Sequence, residues 1–237
     1  MTNPSIKGVV YVLVHSPLVG PLTWSLVADQ LQQRVLNVVV PTLEDSPDTD
    51  EPYWKQHAES VSRALTDISK DRSVILVAHS GAGPLLPVIA RSLARPISAY
   101  VFVDAGIPLP HNASRLDLMK SEDVEWGNQF QEELEQGGSY PTWTSNDLRE
   151  ILPDEILRNQ LVADIHPRGL DFFQEPIPVF KEWPDAPCAY IRFSDSYKSY
   201  ETYAQNLKWK NFELSAGHFH MLVDPIAVSN LIIKATD

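Results

Sequence analysis

The stretch Val74-Ile75-Leu76-Val77-Ala78-His79-Ser80-Gly81-Ala82 decides the fold. Its first five residues are apolar, which is typical of a strand buried on both faces of a parallel sheet. A serine with small residues two positions before and after it follows, and an apolar helix is predicted over residues 81–93. Such small residues permit a sharp strand-to-helix turn that lifts the serine hydroxyl clear of the sheet edge. The pattern predicts Ser80 as a nucleophile; the alternative is that it only caps the helix.

Short β-branched runs alternate with helical patterns on both sides of this stretch. Strands are predicted at Gly8–Val14, Leu36–Val40, Val74–Ala78, Ala99–Val103 and Cys188–Phe193, with Asn211–Leu214 as a candidate sixth edge strand. Helical spacing of apolar residues is present over 24–35, 51–69 and 226–234. This alternation predicts an α/β fold with a mostly parallel central sheet flanked by helices.

The alternation stops between residues 108 and 184. This stretch is rich in Trp, Phe, Leu and acidic residues, and Ser145–Arg158 has a helical pattern. Because structureless loops of this length are rare in compact domains, a helical insertion over one end of the sheet is predicted. The domain prediction is therefore a core of residues 1–107 and 185–237 with a helical cap of residues 108–184.

Composition limits the partners. The 237 residues suit one large α/β domain, and the net charge is -12, with 31 acidic against 19 basic residues. This balance argues against nucleic acid and membrane surfaces and favours a neutral or apolar small-molecule substrate. Cys188 is the one cysteine, Met1–Ser5 does not resemble a signal peptide, and no apolar run is long enough to span a bilayer. A cytoplasmic protein is predicted, with a homodimer as a possible assembly.

With these elements in order, the chain resembles the α/β-hydrolase family. It is most similar to the small branch that holds plant-type hydroxynitrile lyases and methylesterases. That branch carries His-Gly-x-x-x-Gly-x-x-x-Trp after its first long strand, and His15-Ser16-Pro17-Leu18-Val19-Gly20-Pro21-Leu22-Thr23-Trp24 stands there in this chain. The resemblance covers nearly the whole chain and implies the α/β-hydrolase fold with a serine nucleophile and a catalytic histidine.

A serine hydroxyl needs an adjacent imidazole to take its proton at neutral pH. His218 is predicted as this base, because Gly217 lets its loop approach the serine closely and because the resemblance places the family's histidine there. His220 is the alternative. His15 and His79 are predicted to line or brace the pocket. The remaining candidates are interpreted as structural: His57, His111 and His166.

Two aspartates compete for the acid that orients the imidazole. Asp195 follows the strand Cys188–Phe193, where most of the resembled family places its acid. Asp104 ends the strand Ala99–Val103, where some branches place it instead. Asp104 is preferred because its position at the end of a central strand is sharply defined, whereas Asp195 lies in a polar loop.

The loop after the first strand departs from the resembled family. The first oxyanion donor is predicted to be the backbone N–H of Gly81 at a helix start. The family's second donor is usually the N–H two residues beyond the loop histidine, and this position is Pro17, which has no N–H. Either Leu18 or Ser16 donates instead, or the scaffold has moved towards proton-transfer chemistry.

Three functions follow from these residues. The leading prediction is a serine hydrolase that cleaves a small or medium neutral carboxylic ester, thioester or lactone through an acyl-Ser80 intermediate. The second is a lyase or cyclase with His218 as general base, and the third is a non-catalytic ligand-binding protein. No cofactor or metal site is predicted. The aromatic residues expected to pack the cap and line an apolar pocket are Trp126, Phe130, Tyr140, Trp143, Phe172, Phe173 and Phe180.

Overall fold

The computed structural model describes residues 8–46 and 48–237. The segment Met1–Ser5, interpreted above for targeting, lies outside these residues. The strands are β1 (Val10–Val14), β2 (Asn37–Val39), β3 (Val74–Ser80), β4 (Ile97–Ala105), β5 (Cys188–Arg192) and β6 (Lys210–Glu213). The helices are α1 (Leu22–Gln33), α2 (Tyr53–Ala64), α3 (Leu86–Leu93), α4 (Arg115–Glu122), α5 (Val124–Glu135), α6 (Glu155–Ala163), α7 (Leu170–Gln174), α8 (Lys198–Asn206), α9 (His220–Val223) and α10 (Pro225–Thr236).

The six strands form one sheet in the order β2-β1-β3-β4-β5-β6, and every neighbouring pair is parallel. The chain first adds β2 outside β1 and then returns to place β3 on the other side of β1. Parallel sheets open a crevice at the carboxyl ends of the strands where the order reverses in this way, and ligands commonly bind there. The loop after β1 and the turn after β3 therefore meet at this crevice.

Both faces of the sheet are buried, which explains the unbroken apolar runs. Val10, Val12 and Val14 point into a core shared with α2 and α3. Tyr11 and Leu13 point into the opposite core, where α1 and α10 pack. Alternate residues of one strand thus enter two different cores, as the side-chain period of a strand requires.

Residues 108–184, between β4 and β5, contain α4, α5, α6 and α7. Residues of α4, α5 and α7 form a cluster around Phe130, Phe172 and Phe173, against which Leu18 and Tyr140 pack. Leu161 of α6 joins the core of α1 and α10 instead. The contact through Leu18 joins this segment to the loop after β1, at the same end of the sheet as Ser80.

Three predicted helices differ most from the observed elements. The pattern at residues 51–69 ends as a helix at Ala64, and the pattern at 81–93 is a short 3-10 helix over Gly83–Leu85 followed by α3. The larger error is Ser145–Arg158, of which residues 145–151 are turns and only the last residues belong to α6. The predicted α/β fold itself is confirmed.

Candidate active site

Ser80 ends β3 on a strained turn. Its φ of 55° lies in the left-handed region, which costs a non-glycine residue free energy. The pairing of β3 with β4 shifts register between His79 and Ser80, so the backbone leaves the ladder just where the side chain must project. This geometry is the sharp strand-to-helix turn that the sequence predicts.

Asp104 lies one residue before β4 ends at Ala105, the residue that pairs with Ser80. It is fully buried and also has a positive φ of 44°. Its Oδ1 accepts the backbone N–H groups of Phe193 and Ser194 at 2.9 and 3.0 Å, and its Oδ2 accepts the Ser194 hydroxyl at 2.7 Å. The same Oδ2 lies 2.8 Å from Nδ1 of His218. The carboxylate is therefore held rigidly, with one oxygen aimed at the imidazole.

His218 is fixed on three sides. Its Nδ1–H donates to the buried Asp104 carboxylate, which leaves Nε2 as the acceptor in the neutral ring. One ring face stacks on Tyr197, with the centroids 5.1 Å apart and an interplanar angle of 4°, and His79 lies 4.4 Å from the ring by centroids. The His79 Nε2–H also donates to the backbone carbonyl of His218 at 3.0 Å. Burial, followed by the charge of His218, lowers the pKa of His79 well below its ordinary value, so His79 braces the loop as a neutral ring.

The alternative acid and base lie elsewhere. Asp195 is exposed over 99% of its side chain and pairs with Arg192 at 3.2 Å, rather than with a histidine. His220 begins α9 and packs edge-on against Phe193. The structure thus brings Asp104 and His218 together and leaves Asp195 at the surface.

The loop after β1 lies against the Ser80 turn. A Cβ added to Gly81 would meet the Ser16 hydroxyl oxygen at 3.1 Å and Cδ of Pro17 at 3.9 Å. The Leu18 N–H donates to that same Ser16 oxygen at 3.3 Å, so it is already engaged. Within the described residues, the backbone N–H groups of Gly81 and Ser16 have no acceptor. Both N–H groups can therefore donate a hydrogen bond to an oxygen atom of a bound ligand.

His15 supports this loop through hydrogen bonds to backbone groups at both of its ring nitrogens. Its Nε2 accepts the Leu43 N–H at 3.2 Å, so its Nδ1 carries the proton and donates to the Ser16 carbonyl at 2.8 Å. Burial, only partly opposed by the bond to the Ser16 carbonyl, lowers the pKa of His15 to about 4. His15 is therefore a neutral brace.

Tyr197 was not among the sequence-predicted site residues. Its hydroxyl lies 3.1 Å from Ser80 Oγ, and this is the hydrogen bond that the Ser80 side chain makes within the described chain. No hydrogen bond joins Ser80 to His218 in the same residues. Tyr197 contacts both, because its hydroxyl meets the serine while its ring stacks on the imidazole. The one available signal was its place shortly after β5, at the carboxyl edge of the sheet.

The aromatic residues predicted for the pocket have different surroundings. Trp143 packs edge-on against Phe219, next to His218, and Tyr140 joins the cluster around Phe130. Trp126 is 47% exposed, and Phe180 packs under the guanidinium of Arg91 on the core. The other three phenylalanines of the segment 108–184 fill its own cluster, namely Phe130, Phe172 and Phe173. Most of these residues therefore hold the segment together.

Two surface cavities lie away from Ser80. One, of about 320 Å³, is at the amino ends of β5 and β6 and includes Cys188 and Trp209 in its walls. The other, of about 390 Å³, is lined by polar and acidic side chains, among them Glu44 and Glu59. Neither is lined by Ser80 or His218, so they are not the substrate site predicted above.

The other histidines have structural contacts or lie at the surface. His57 is buried and bonds Asp45 at 2.8 Å, and His166 lies 4.0 Å from Asp164. His111 is exposed, with a φ of 69°. Over residues 8–46 and 48–237, no three His, Cys, Asp or Glu side chains cluster as metal ligands. No helix in those ranges combines the length and the hydropathy that crossing a membrane requires.

Comparison with known proteins gives concordant similarities. The sequence model of the Alpha/beta hydrolase family matches residues 11–231. Methylesterase 1 of Arabidopsis thaliana is 27% identical over 143 residues, which span 58% of this chain and 52%, about half, of that relative. The crystal structure of polyneuridine aldehyde esterase superposes with a TM-score of 0.71 at 17% identity, over 96% of this chain and 99% of that one. A variant of tomato methylketone synthase I, complexed with β-ketoheptanoate, superposes with a TM-score of 0.71 at 16% identity, over 95% and 96%.

Proposed function

Because this chain belongs to the α/β hydrolase family, we propose that it hydrolyses a small or medium neutral carboxylic ester, thioester or lactone through an acyl-Ser80 intermediate. The observation that carries the proposal is the pairing of His218 with the buried Asp104, beside a serine on a left-handed turn. A buried carboxylate that fixes one imidazole tautomer is what a serine nucleophile needs from its base. The esterase names of two of the similar proteins support the same chemistry.

Acylation begins with attack of Ser80 Oγ on the carbonyl carbon of the substrate. His218 Nε2 accepts the hydroxyl proton, and Asp104 stabilises the imidazolium that forms. The carbonyl oxygen becomes an oxyanion, the bond to the leaving group breaks, and His218 returns the proton to the departing oxygen or sulfur. A water molecule then attacks the acyl-Ser80 carbon, with His218 again as general base, and releases the carboxylic acid.

The oxyanion site is assigned to Gly81 and Ser16. The Gly81 N–H begins the turn after the nucleophile and has no acceptor among the described residues. Pro17 has no N–H, and the Leu18 N–H is bonded to the Ser16 hydroxyl oxygen. That bond uses a lone pair of the hydroxyl and leaves its proton free to donate. Ser16 therefore supplies the second donor through its hydroxyl or its own N–H.

The net charge of the chain and the residues beside His218 indicate the substrate class. The chain carries a net charge of -12, which disfavours anionic substrates at long range. Trp143, which is partly exposed, packs on the buried Phe219 next to His218 and offers apolar surface there. A neutral carbonyl compound with an apolar acyl or alcohol part therefore fits the site best.

We also propose a cytoplasmic location. The single cysteine, Cys188, is buried, and burial followed by the charge of Asp185 raises the pKa of its thiol to about 12. A protein of this kind needs no oxidising compartment to fold. Fractionation of the producing cells tests this, and recovery from the culture medium alone would contradict it.

Covalent labelling tests the mechanism. A fluorophosphonate probe should label the wild-type protein at Ser80, as located by peptide mass spectrometry, and the Ser80→Ala variant should not react. Ser25→Ala, which changes a serine on α1, is the matched control and should label normally. Absence of labelling of the wild type at high probe concentration would contradict the acyl-enzyme proposal.

A second candidate function is lyase or cyclase chemistry with His218 as general base. Pro17 favours it, because the loss of one oxyanion donor typically costs about 10² to 10³ in rate and matters less where no tetrahedral oxyanion forms. Similarity to the methylketone synthase fold is compatible with it. In this case short-chain aryl esters would stay intact, and Ser80→Ala would keep part of the native activity.

A further inference from the structure

Tyr197 is a site residue to which the catalytic scheme above gives no role. It lies in the loop between β5 and α8, and its hydroxyl is 3.1 Å from Ser80 Oγ. Asp104, at the end of β4, already supplies the carboxylate for His218. The loop after β5 therefore does not supply the carboxylate for His218. It places the phenol of Tyr197 next to Ser80 instead.

Two pairs of neighbouring groups surround Ser80, and we take each pair as one side of the site. Gly81 and Ser16 are next to each other, since a Cβ on Gly81 would lie 3.1 Å from the Ser16 hydroxyl. Tyr197 and His218 form the other group, with parallel rings 5.1 Å apart. In the tetrahedral intermediate the oxyanion points to the first side and the leaving group to the second, because His218 must protonate the leaving group. Tyr197 is thus on the leaving-group side.

The Tyr197 hydroxyl is suited to donate. Burial, with the nearby Asp104 carboxylate, raises the pKa of the phenol above its ordinary value, while the bond to Ser80 acts in the opposite direction. The phenol therefore keeps its proton at neutral pH. Its ring is fixed by stacking on His218 and by contact with Tyr200, 5.8 Å away by centroids. A fixed donor at the site of developing charge needs little reorganisation during the reaction.

We propose that Tyr197 donates a hydrogen bond to the leaving-group oxygen of the ester as the carbon–oxygen bond breaks. This role rests on the proposed ester hydrolysis. The bond from Ser80 Oγ to the carbonyl carbon forms and the bond to the alcohol oxygen breaks. The Ser80 proton passes through His218 Nε2 to that oxygen, and Tyr197 retains its own proton throughout. In the free enzyme the Tyr197 hydroxyl is hydrogen-bonded to Ser80 Oγ. The bound substrate replaces Ser80 Oγ as the partner of this hydroxyl.

The test compares leaving groups in the Tyr197→Phe variant. Two esters with the same acyl group are used, an ethyl ester and a 4-nitrophenyl ester, and kcat/KM is measured because it reports acylation. A basic alkoxide needs stabilisation as it leaves, whereas 4-nitrophenolate needs little. We expect kcat/KM for the ethyl ester to fall roughly 10- to 100-fold, the cost of one hydrogen bond to a charged group. For the 4-nitrophenyl ester we expect a change within about threefold.

The matched control is Tyr203→Phe, which removes the hydroxyl of an exposed tyrosine on α8 and should leave both esters unaffected. Equal losses for the two esters in Tyr197→Phe would overturn the proposal, because they would show a structural role. Unchanged turnover of the ethyl ester would overturn it as well. If the wild type cleaves neither ester and the fluorophosphonate leaves Ser80 unlabelled, the proposed hydrolysis itself fails and this role fails with it.

Discussion

Asp104 Oδ2 lies 2.8 Å from His218 Nδ1, inside a shell of donors from Phe193 and Ser194. The neutral Asp104→Asn variant can turn an N–H towards Nδ1 and thereby impose the wrong imidazole tautomer. We expect kcat to fall by about 10³- to 10⁴-fold. Asp195→Asn, a change at a 99% exposed side chain, should stay within about twofold of the wild type. Initial rates on one short-chain ester compare the two variants, and the opposite order would move the acid to Asp195.

The parts of this protein that follow from the sequence are those that local patterns encode. The strands appear as apolar runs because both sheet faces are buried. The turn at Ser80 appears as small residues around a serine after such a run. Chain order then brings Asp104 and the loop of His218 to the same edge of the sheet, because all six strands are parallel.

Ser145–Arg158 shows where periodicity misleads. The Thr144 N–H and hydroxyl both donate to the Asp147 carboxylate, so side chains satisfy the backbone in a turn instead of a helix. Pro153 disfavours a helical residue before it and lacks an N–H donor. Asp154 then caps α6 by accepting the Leu157 N–H, and the helix begins only at Glu155.

Tyr197 shows where the sequence is silent. It is 117 positions from Ser80 in the chain, and its neighbours Asp195 and Ser196 are typical of a solvated loop. Only the packing of that loop on the sheet edge brings the phenol to the serine. No spacing or composition encodes a contact of this kind.

The proposed oxyanion site provides a second prediction, in which the Ser16 hydroxyl supplies the donor that Pro17 lacks. Ser16→Ala should lower kcat for an ester by roughly 10- to 100-fold with little change in KM, as expected for a donor used in the transition state. Ser16→Thr, which keeps a hydroxyl, should retain most of the activity. Ser25→Ala removes a hydroxyl that bonds the Leu22 carbonyl on α1 and serves as the control. Wild-type turnover by Ser16→Ala would assign the second donor to a backbone N–H.

Gly217 provides a third prediction, since it lets the loop of His218 pass close to Ile151. A Cβ at Gly217 would lie 2.8 Å from Cβ and 3.2 Å from Cα of Ile151, which is too close for either to stay in place. Gly217→Ala should therefore lower the free energy of unfolding by about 1 to 3 kcal/mol and reduce kcat by displacing the imidazole. Urea unfolding and initial rates measure the two effects.

A double-mutant cycle identifies the clash. Ile151→Gly removes the Cβ that the new methyl group would meet, so Gly217→Ala should cost less in the Ile151→Gly background than in the wild type. The coupling should be about 0.5 kcal/mol or more, as is usual for residues in contact. Strictly additive effects would show that the loss arises from the backbone at Gly217 alone.

The neutral His15 predicts acid sensitivity of the fold. The pKa of His15 is lowered to about 4 by burial, against about 6.5 in the unfolded chain. Between these values the unfolded state binds a proton that the folded state does not, so the free energy of unfolding falls as the pH falls. The loss begins near pH 6.5 and is complete near pH 4, with a total of about 3 kcal/mol. Well above about pH 6.5 the contribution of His15 to the free energy of unfolding is fully present and does not change with pH.

His15→Asn isolates this contribution, because it keeps a side-chain donor for the Ser16 carbonyl and removes the titrating group. Urea unfolding at a series of pH values from about 7.5 down to about 4 should show a steeper decline of stability in the wild type than in His15→Asn. Contributions from the buried His57 and His79 are common to both proteins and cancel in the difference. His166→Asn, at an imidazole whose side chain is 49% exposed, is the control and should follow the wild type. Parallel curves for the wild type and His15→Asn would mean that His15 is not held neutral by the fold. The loop after β1 would then lack the rigid support on which the proposed oxyanion site depends.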